Sequence, residues 1–481
     1  MSAHKDYYRP ELHVTAESGV LDAPAGVLLD GDTWHLFHQY RPTPDAPARW
    51  AHVVSEEGPF DWEICDDALA PVGGETALRA GAVVPNGTGL DLYFTSVTAA
   101  GTSIQVAHMA DLDGACPVSD DEFAVDTRVQ RIGDVVGDRD GYARFRSPCV
   151  VPGWESNDDR HAGHDGWLML AVTGSGDAPA PVVLGSPDGR SWDFVGSLGF
   201  EGDPGFDAAS IAVGPRIFRL RDEIDGNIYD ILLITLESGG IDISGYLVGT
   251  LRGATFDVVT PFTRIDHGHD FTRPRNTNVT AGTVPEEERY QRSVIFGLLN
   301  GVGRRDDPAR HPSLASGGWA NALSLPRVVT LQGGRLFQTP PAGLPDAISR
   351  TADARSWTGL CEIPPGGSLT ATLLDAAGEP AATVVHSGRQ LLLDRSVNPH
   401  HSGDQVARAE LEGDVTGSLS IFVDGSTVEV FANGGAVTMA SRVYIDGGCS
   451  AIRVEVSGGA VLERHWERSP VTSGNLPEYD R

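Results

Sequence analysis

The chain reads as an all-β protein, and three observations carry that reading. Short runs of alternating or β-branched residues recur from end to end, each closed by Gly, Asp, Asn or Pro, which is the pattern of antiparallel sheets. Helical periodicity sustained over about ten residues is nearly absent. Past residue 356 the strands shorten and their turns grow richer in glycine, so one all-β unit gives way to another.

Taken in order, the stretch Ser18 to Gly26, SGVLDAPAG, reads as a strand end turning into a loop, with Pro24 and Gly26 setting the turn. The runs GVLLDGDTWHLFHQY, RAGAVVPNGTGLDLYFTSV, GWLMLAVTG, ASIAVGPRIFRL, IYDILLITLE, SVIFGLLN and LSLPRVVTL follow as strands. This many strands at such spacing fit either a propeller or sandwiches. Residues 1–338 form the first unit, residues 339–356 a linker rich in Pro and Ala, and residues 357–481 a second unit. Within that second unit, Ser418 to Gly434 alternates cleanly on either side of Asp424-Gly425, a strong hairpin signal.

Composition narrows the function. The 481 residues hold 36 Lys and Arg against 66 Asp and Glu, a net charge of −30. Such a surface repels phosphate backbones and anionic lipid, which argues against nucleic-acid and membrane partners and leaves a neutral ligand such as a sugar open. An acidic surface also simply keeps a protein soluble. Cys65, Cys116, Cys149, Cys361 and Cys449 are scattered and odd in number, which fits reduced, mostly buried thiols rather than a disulfide framework or a zinc site. The opening MSAHKDYYRPELHV lacks the apolar core of a signal peptide, and no run reaches the ~18 apolar residues of a membrane span. The expected location is the cytoplasm.

In frame, spacing and flanks, SGVLDAPAG resembles the first motif of glycoside hydrolase family 32, the β-fructofuranosidases that cleave sucrose, inulin and levan. HLFHQY, the pair Trp50 and His52 around Ala51, WANALSLPR, LLLDRSV and VDGSTVEVF resemble further landmarks of that family, in the same order along nearly the whole chain. The resemblance implies a five-bladed β-propeller followed by a C-terminal β-sandwich, a sugar or oligosaccharide as ligand, and no cofactor. The sandwich is expected to support the propeller, with a homodimer as a possible assembly.

The resemblance also implies where the chemistry sits. A retaining glycosidase needs a carboxylate nucleophile and a carboxylic acid about 5–5.5 Å apart. In the family the nucleophile is the Asp of its first motif, a second Asp in Arg-Asp-Pro stabilises the transition state, and the acid/base is the Glu of Glu-Cys-Pro. Here Ala23 stands at the nucleophile position. FRSPCV keeps Arg146 and Pro148 but puts Ser147 at the stabiliser. GFDAAS puts Asp207 at the acid/base, followed by Ala208 and Ala209. Losing the nucleophile typically costs on the order of 10⁴ to 10⁶ in turnover, so ordinary double displacement is expected to be absent or nearly so. Asp22, in the family's Asn position, could serve as base for a water with Asp207 as acid in an inverting mechanism, or it could only replace Asn and hydrogen-bond the turn. For Asp207 the plain alternative is a loop residue capping a backbone group, and Asp203 or Asp140 could instead occupy the nucleophile's space.

The pocket lining is altered too. Arg79 in LRAG stands where a small hydroxyl is expected, and DFTRPRN brings Arg273 and Arg275. If these point inward with Arg146, the mouth suits a phosphorylated or carboxylated sugar; otherwise they pair with Asp266, Asp270 or other acids. Metal is not expected: His161, His164 and Asp165, His267 and His269 beside Asp266, and His400 with His401 lack zinc-site spacing. No phosphate loop, nucleophile elbow or dinucleotide fingerprint stands out. Three functions therefore remain open: a divergent hydrolase acting through Asp22 and Asp207, a non-catalytic carbohydrate binder holding its ligand with Gln39, Trp50, Arg146 and Asp207, or a structural subunit with a vestigial pocket.

Overall fold

The computed structural model describes residues 5–470 apart from 113, 115, 140, 153–165, 175–177, 208–209, 286–287, 302–306, 402–404 and 413–415. His161, His164, Asp165, Asp140, Ala208 and Ala209 thus lie outside the described residues.

The chain forms an N-terminal β-propeller and a C-terminal β-sandwich. The propeller strands fall into one ten-stranded, one five-stranded and two four-stranded sheets, because strand Gly19–Asp30 pairs in parallel with Phe271–Val279 through Val27–Leu29 and joins first and last strands into one sheet. At the centre, Gly19–Asp30 lies beside Glu75–Asn86, then Arg146–Pro152, Ile211–Arg221 and Phe271–Val279, each innermost strand touching the next. These strands are buried on both faces, as the Val-, Ala- and Leu-rich runs require.

One sequence expectation is corrected. SGVLDAPAG does not leave the sheet at Pro24: Gly19–Asp30 is one strand with register shifts between Leu21 and Ala23 and between Pro24 and Gly26. A bulge accommodates a residue with no N–H, so proline survives inside the strand. The stretch 339–356, expected to be a linker, has regular structure of its own. It carries the helix Leu344–Arg350, whose Leu344, Ala347 and Ile348 pack with Leu12, Phe60, Phe422 and Phe431 between the two domains.

The hairpin around Asp424-Gly425 forms, Thr416–Asp424 pairing with Thr427–Ala432. Gly425 has φ +53°, and a Cβ there would stand 2.7 Å from the backbone of Arg9, so only glycine lets the hairpin tip meet the N-terminal segment. Asp424 accepts the N–H groups of Glu11 (2.8 Å) and Leu12 (2.8 Å). Glu429 reaches across to Arg327 (2.7 Å), which also pairs with Asp266 (2.9 Å), all three at 0% side-chain exposure. Asp270 likewise takes Arg395 (2.7 Å). Three of the histidines singled out by sequence serve this junction or the sandwich: His269 Nδ1 meets Ser441 Oγ at 2.8 Å, His400 meets Asp446, and His401 stacks on Tyr444. Among the described residues no helix is long and apolar enough to cross a membrane.

Buried histidines set an acid limit on stability. Burial pulls His38 down to about 3, and burial with the nearby Arg442 pulls His311 down to about 3, from an unfolded value of about 6.5. Between those values the unfolded chain binds protons that the fold refuses, so the stabilisation is whole above about pH 6.5 and is lost as pH falls. The urea midpoint is expected to drop steeply from pH 6.5 to 4, and less steeply in His38→Gln. An unchanged slope in that variant would count against the assignment.

Candidate functional site

The cavity lies where the innermost strands begin, on the propeller axis, and has a volume of about 680 Å³. Such a volume suits a small oligosaccharide or its phosphate ester. Asp22, Ala23, Gln39, Arg79, Arg146, Ser147, Arg273 and Arg275 all line it, so the topology gathers residues that are far apart in sequence.

Asp22 and Ala23 sit side by side at the first bulge, both nearly buried. The Asp22 carboxylate takes Arg41 through Nη2 (2.8 Å) and Nε (3.0 Å), and Gln39 Nε2 at 3.2 Å. Gln39 in turn accepts the Ala80 N–H at 2.8 Å, which fixes its amide between two strands. Arg273 donates to the Asp22 carbonyl (3.2 Å) and to the Asp242 carboxylate (3.2 Å). Its partner is therefore Asp242, while Asp266 and Asp270 engage Arg327 and Arg395 at the domain junction.

Two non-glycine residues of the wall, Ser147 and Arg273, have left-handed backbones, with φ +58° and +52°. Such strain costs of order 1–3 kcal/mol per residue and tends to collect where a ligand is held. Ser147 N–H donates to Thr95 Oγ1 (2.9 Å), and its carbonyl accepts from Arg216 (2.9 Å).

Arginine dominates the electrostatics. The Arg79 guanidinium is exposed in the cavity and has no hydrogen-bond or ion-pair partner among the described residues. Arg146 donates only to the carbonyls of Gly174 (2.8 Å) and Arg144 (3.2 Å). Burial holds Arg146 below the usual guanidinium range and the charge of Arg79 adds to that, with Glu237 opposing. Arg216, which sequence reading missed, is 2% exposed, and its Nε and Nη2 meet no acceptor among the described residues. Burial pulls its guanidinium down to about 10. Arg275 also lines the cavity but is committed to backbone, donating to Pro24 O (2.9 Å) and Gly81 O (3.0 Å).

Two further carboxylates were missed. Glu237, near the end of strand Ile228–Ser238, and Asp242, in strand Ile241–Arg252, are cross-strand partners beside the turn at Gly239-Gly240, and both reach the cavity. Burial, then the charge of Asp242, raises the Glu237 carboxyl above its ordinary value, and Arg273 and Arg146 partly offset this. The only advance signal was a Glu and an Asp flanking Ser-Gly-Gly-Ile between apolar runs.

Two expected site residues lie elsewhere. Trp50 is fully buried, packed edge-on against Phe94, with its indole N–H on the Arg79 carbonyl at 3.2 Å. It supports the strand that carries Arg79 and is not part of the lining. Asp207 is an exposed loop residue whose carbonyl accepts the Ser210 N–H at 2.9 Å, and it is absent from the lining. That position on the wall is filled by Val213, Gly214 and Arg216 of the strand that follows. Asp203 bonds the Gly205 N–H within the same loop.

The comparisons agree with this architecture. The family description "Glycosyl hydrolases family 32 N-terminal domain" matches residues 13–340, and "Glycosyl hydrolases family 32 C terminal" matches residues 381–469. The chain is 24% identical to the levanase of Bacillus subtilis (strain 168), over 98% of this chain and 73% of the levanase. It is also 24% identical to a sucrose-6-phosphate hydrolase of that bacterium, over 92% of this chain and 90% of the hydrolase. Among solved structures, exo-inulinase from Aspergillus awamori is similar with a TM-score of 0.75 at 20% identity, over 97% of this chain and 98% of that one. Fructan 1-exohydrolase IIa from Cichorium intybus gives a TM-score of 0.76 at 14% identity, over 97% and 98%.

Proposed function

The chain belongs to glycoside hydrolase family 32, and from that premise we propose that it is a carbohydrate-binding member that takes a sugar bearing a phosphate or carboxylate and does not run the family's double displacement. One observation carries the reading: Arg79, Arg146 and Arg216 line a single cavity without a carboxylate at hydrogen-bond distance, while two of the acids of that cavity are taken, Asp22 by Arg41 and Gln39 and Asp242 by Arg273. Guanidinium forks left open in a half-buried cleft suit an anionic oxygen cluster. The sucrose-6-phosphate hydrolases among the relatives make a phosphorylated sugar a natural first probe.

Further support comes from the three acidic positions. Pro215 is read as the proline of the Glu-Cys-Pro pattern, which puts Val213 at the acid/base place. Ala23, Ser147 and Val213 then all face the cavity, and none can attack, protonate or offset an oxocarbenium charge. Five free cysteines suit a reducing compartment, so this reading places the protein in the cytoplasm.

The test is calorimetric titration with sucrose 6-phosphate, sucrose and a short inulin oligosaccharide, alongside chromatography for released fructose. The phosphate ester is expected to bind at least about tenfold tighter than sucrose, a difference of ~1.4 kcal/mol, with no fructose released. Equal affinity for the neutral sugars would sink the anionic reading. A second reading rests on Glu237, whose raised carboxyl resembles a poised general acid. Fructose release that disappears in Glu237→Gln would establish it instead.

A further inference from the structure

Away from the sugar cavity, three side chains able to ligate a metal converge on the first sheet, with Cys65 beside them as a fourth. His35 lies in strand Thr33–Arg41 and His52 in its neighbour Arg49–Ser55, and both are buried. His35 Nδ1 stands 3.2 Å from His52 Nε2. Cys65 is drawn in by its own N–H, which bonds the His52 carbonyl at 3.0 Å, and the next residue, Asp66, bonds the Pro117 carbonyl at 2.8 Å, which lays Cys116 alongside. Cys116 Sγ lies 3.9 Å from His52 Nδ1. His35, His52 and Cys116 each offer a ligand atom, all within 4.8 Å of one another.

Neither the cavity nor the packing of the sheet calls for this cluster. Buried imidazoles facing thiols, with no carboxylate among them, are a donor set that suits a soft cation. We propose that His35, His52, Cys65 and Cys116 hold one soft divalent cation of the zinc class, which staples the segment carrying Cys116 to the first sheet.

The geometry and the charge both fit. Zinc–nitrogen bonds of about 2.0–2.1 Å and zinc–sulfur bonds of about 2.3 Å give a tetrahedron with edges of roughly 3.3–3.8 Å. His35 Nδ1 and His52 Nε2 already have that spacing, and the Cys116 sulfur, now on the Nδ1 edge of the His52 ring, joins them by rotating towards its Nε2 edge, as Cys65 does from the adjoining chain. Two thiolates balance a divalent ion, and two neutral imidazoles add no charge. Arg128, 3.5 Å from Cys116 Sγ, is already neutralised by Asp126 at 2.7 Å, so it serves as an outer hydrogen-bond donor to a bound sulfur. His52 and Cys116 are 64 residues apart, which is why no spacing pattern pointed to the site.

The test uses the full chain, purified with zinc in the buffer and then dialysed, with metal measured by mass spectrometry. One zinc per chain is expected in the wild type and in the control Cys361→Ser, and a several-fold loss in Cys116→Ser. Cobalt(II) exchanged into the wild type should show thiolate-to-cobalt charge transfer and the strong visible bands of a tetrahedral ion. That spectrum decides the matter even if Cys116→Ser does not fold. Metal-free wild type with no cobalt spectrum would overturn the proposal, as would a Cys65–Cys116 disulfide as the resting state on peptide mapping.

Discussion

Glu429→Ala is expected to lower unfolding stability by about 3–5 kcal/mol, the cost of removing one partner from a buried ion pair. Glu429 carries the contact between domains: it accepts from Arg327 at 2.7 and 3.0 Å, from the Leu325 N–H at 2.6 Å, and meets His13 at 3.2 Å. Its loss leaves Arg327 fully buried with Asp266 as its remaining carboxylate partner and His13 with Asp424. Because these partners span the propeller, the N-terminal segment and the sandwich, the single unfolding transition should also split. Urea denaturation followed by tryptophan fluorescence and by circular dichroism reads both effects. Coincident curves with a shift under about 1 kcal/mol would show that helix and hairpin packing, not the ion network, holds the domains together. Glu429→Gln keeps acceptor and shape and should lose less.

Arg146→Ala is expected to weaken binding of the anionic sugar by about 10- to 100-fold, the worth of a hydrogen bond to a charged group at ~1.5–3 kcal/mol. Stability should change little, because the guanidinium bonds only to two carbonyls and sits in an unfavourable field from Arg79. The wild-type affinity should fall as salt rises, and the variant's should fall less steeply, since one contributing charge has gone. Calorimetry at two ionic strengths separates this from simple loss of shape, which would leave the salt dependence untouched. Neutral sucrose serves as the internal comparison.

Strand positions were legible because the alternating runs and their Gly, Asp and Pro stops are local signals. So was the tip of the Thr416–Asp424 hairpin, where Asp424-Gly425 dictates the turn. Asp22, Gln39, Arg79, Arg146 and Arg273 were legible as lining because each sits at a recognisable motif. Arg216, Glu237 and Asp242 were not, since only the order of the innermost strands brings them to the same mouth. Asp207 misled for a related reason: an acid close in sequence to the expected place was preferred over an apolar residue six positions on, and it sits in an exposed loop outside the lining. Trp50 misled because a tryptophan beside a motif looks like a sugar platform, whereas alternation turns it into the sheet interior.

The pairing of Gly19–Asp30 with Phe271–Val279 also says something about how the protein is made. On the ribosome the first strand emerges with one neighbour, Thr33–Arg41, on its hairpin side, while its other edge waits for a partner about 250 residues downstream. At roughly 5–20 residues per second that wait is about 10–50 s, during which an apolar strand edge stands unpaired. The sandwich hairpin that clasps the N-terminal segment through Asp424 emerges later still. Biosynthesis of this chain therefore has a long exposed interval, and its yield should depend more on chaperone supply and growth temperature than on the stability of the finished fold.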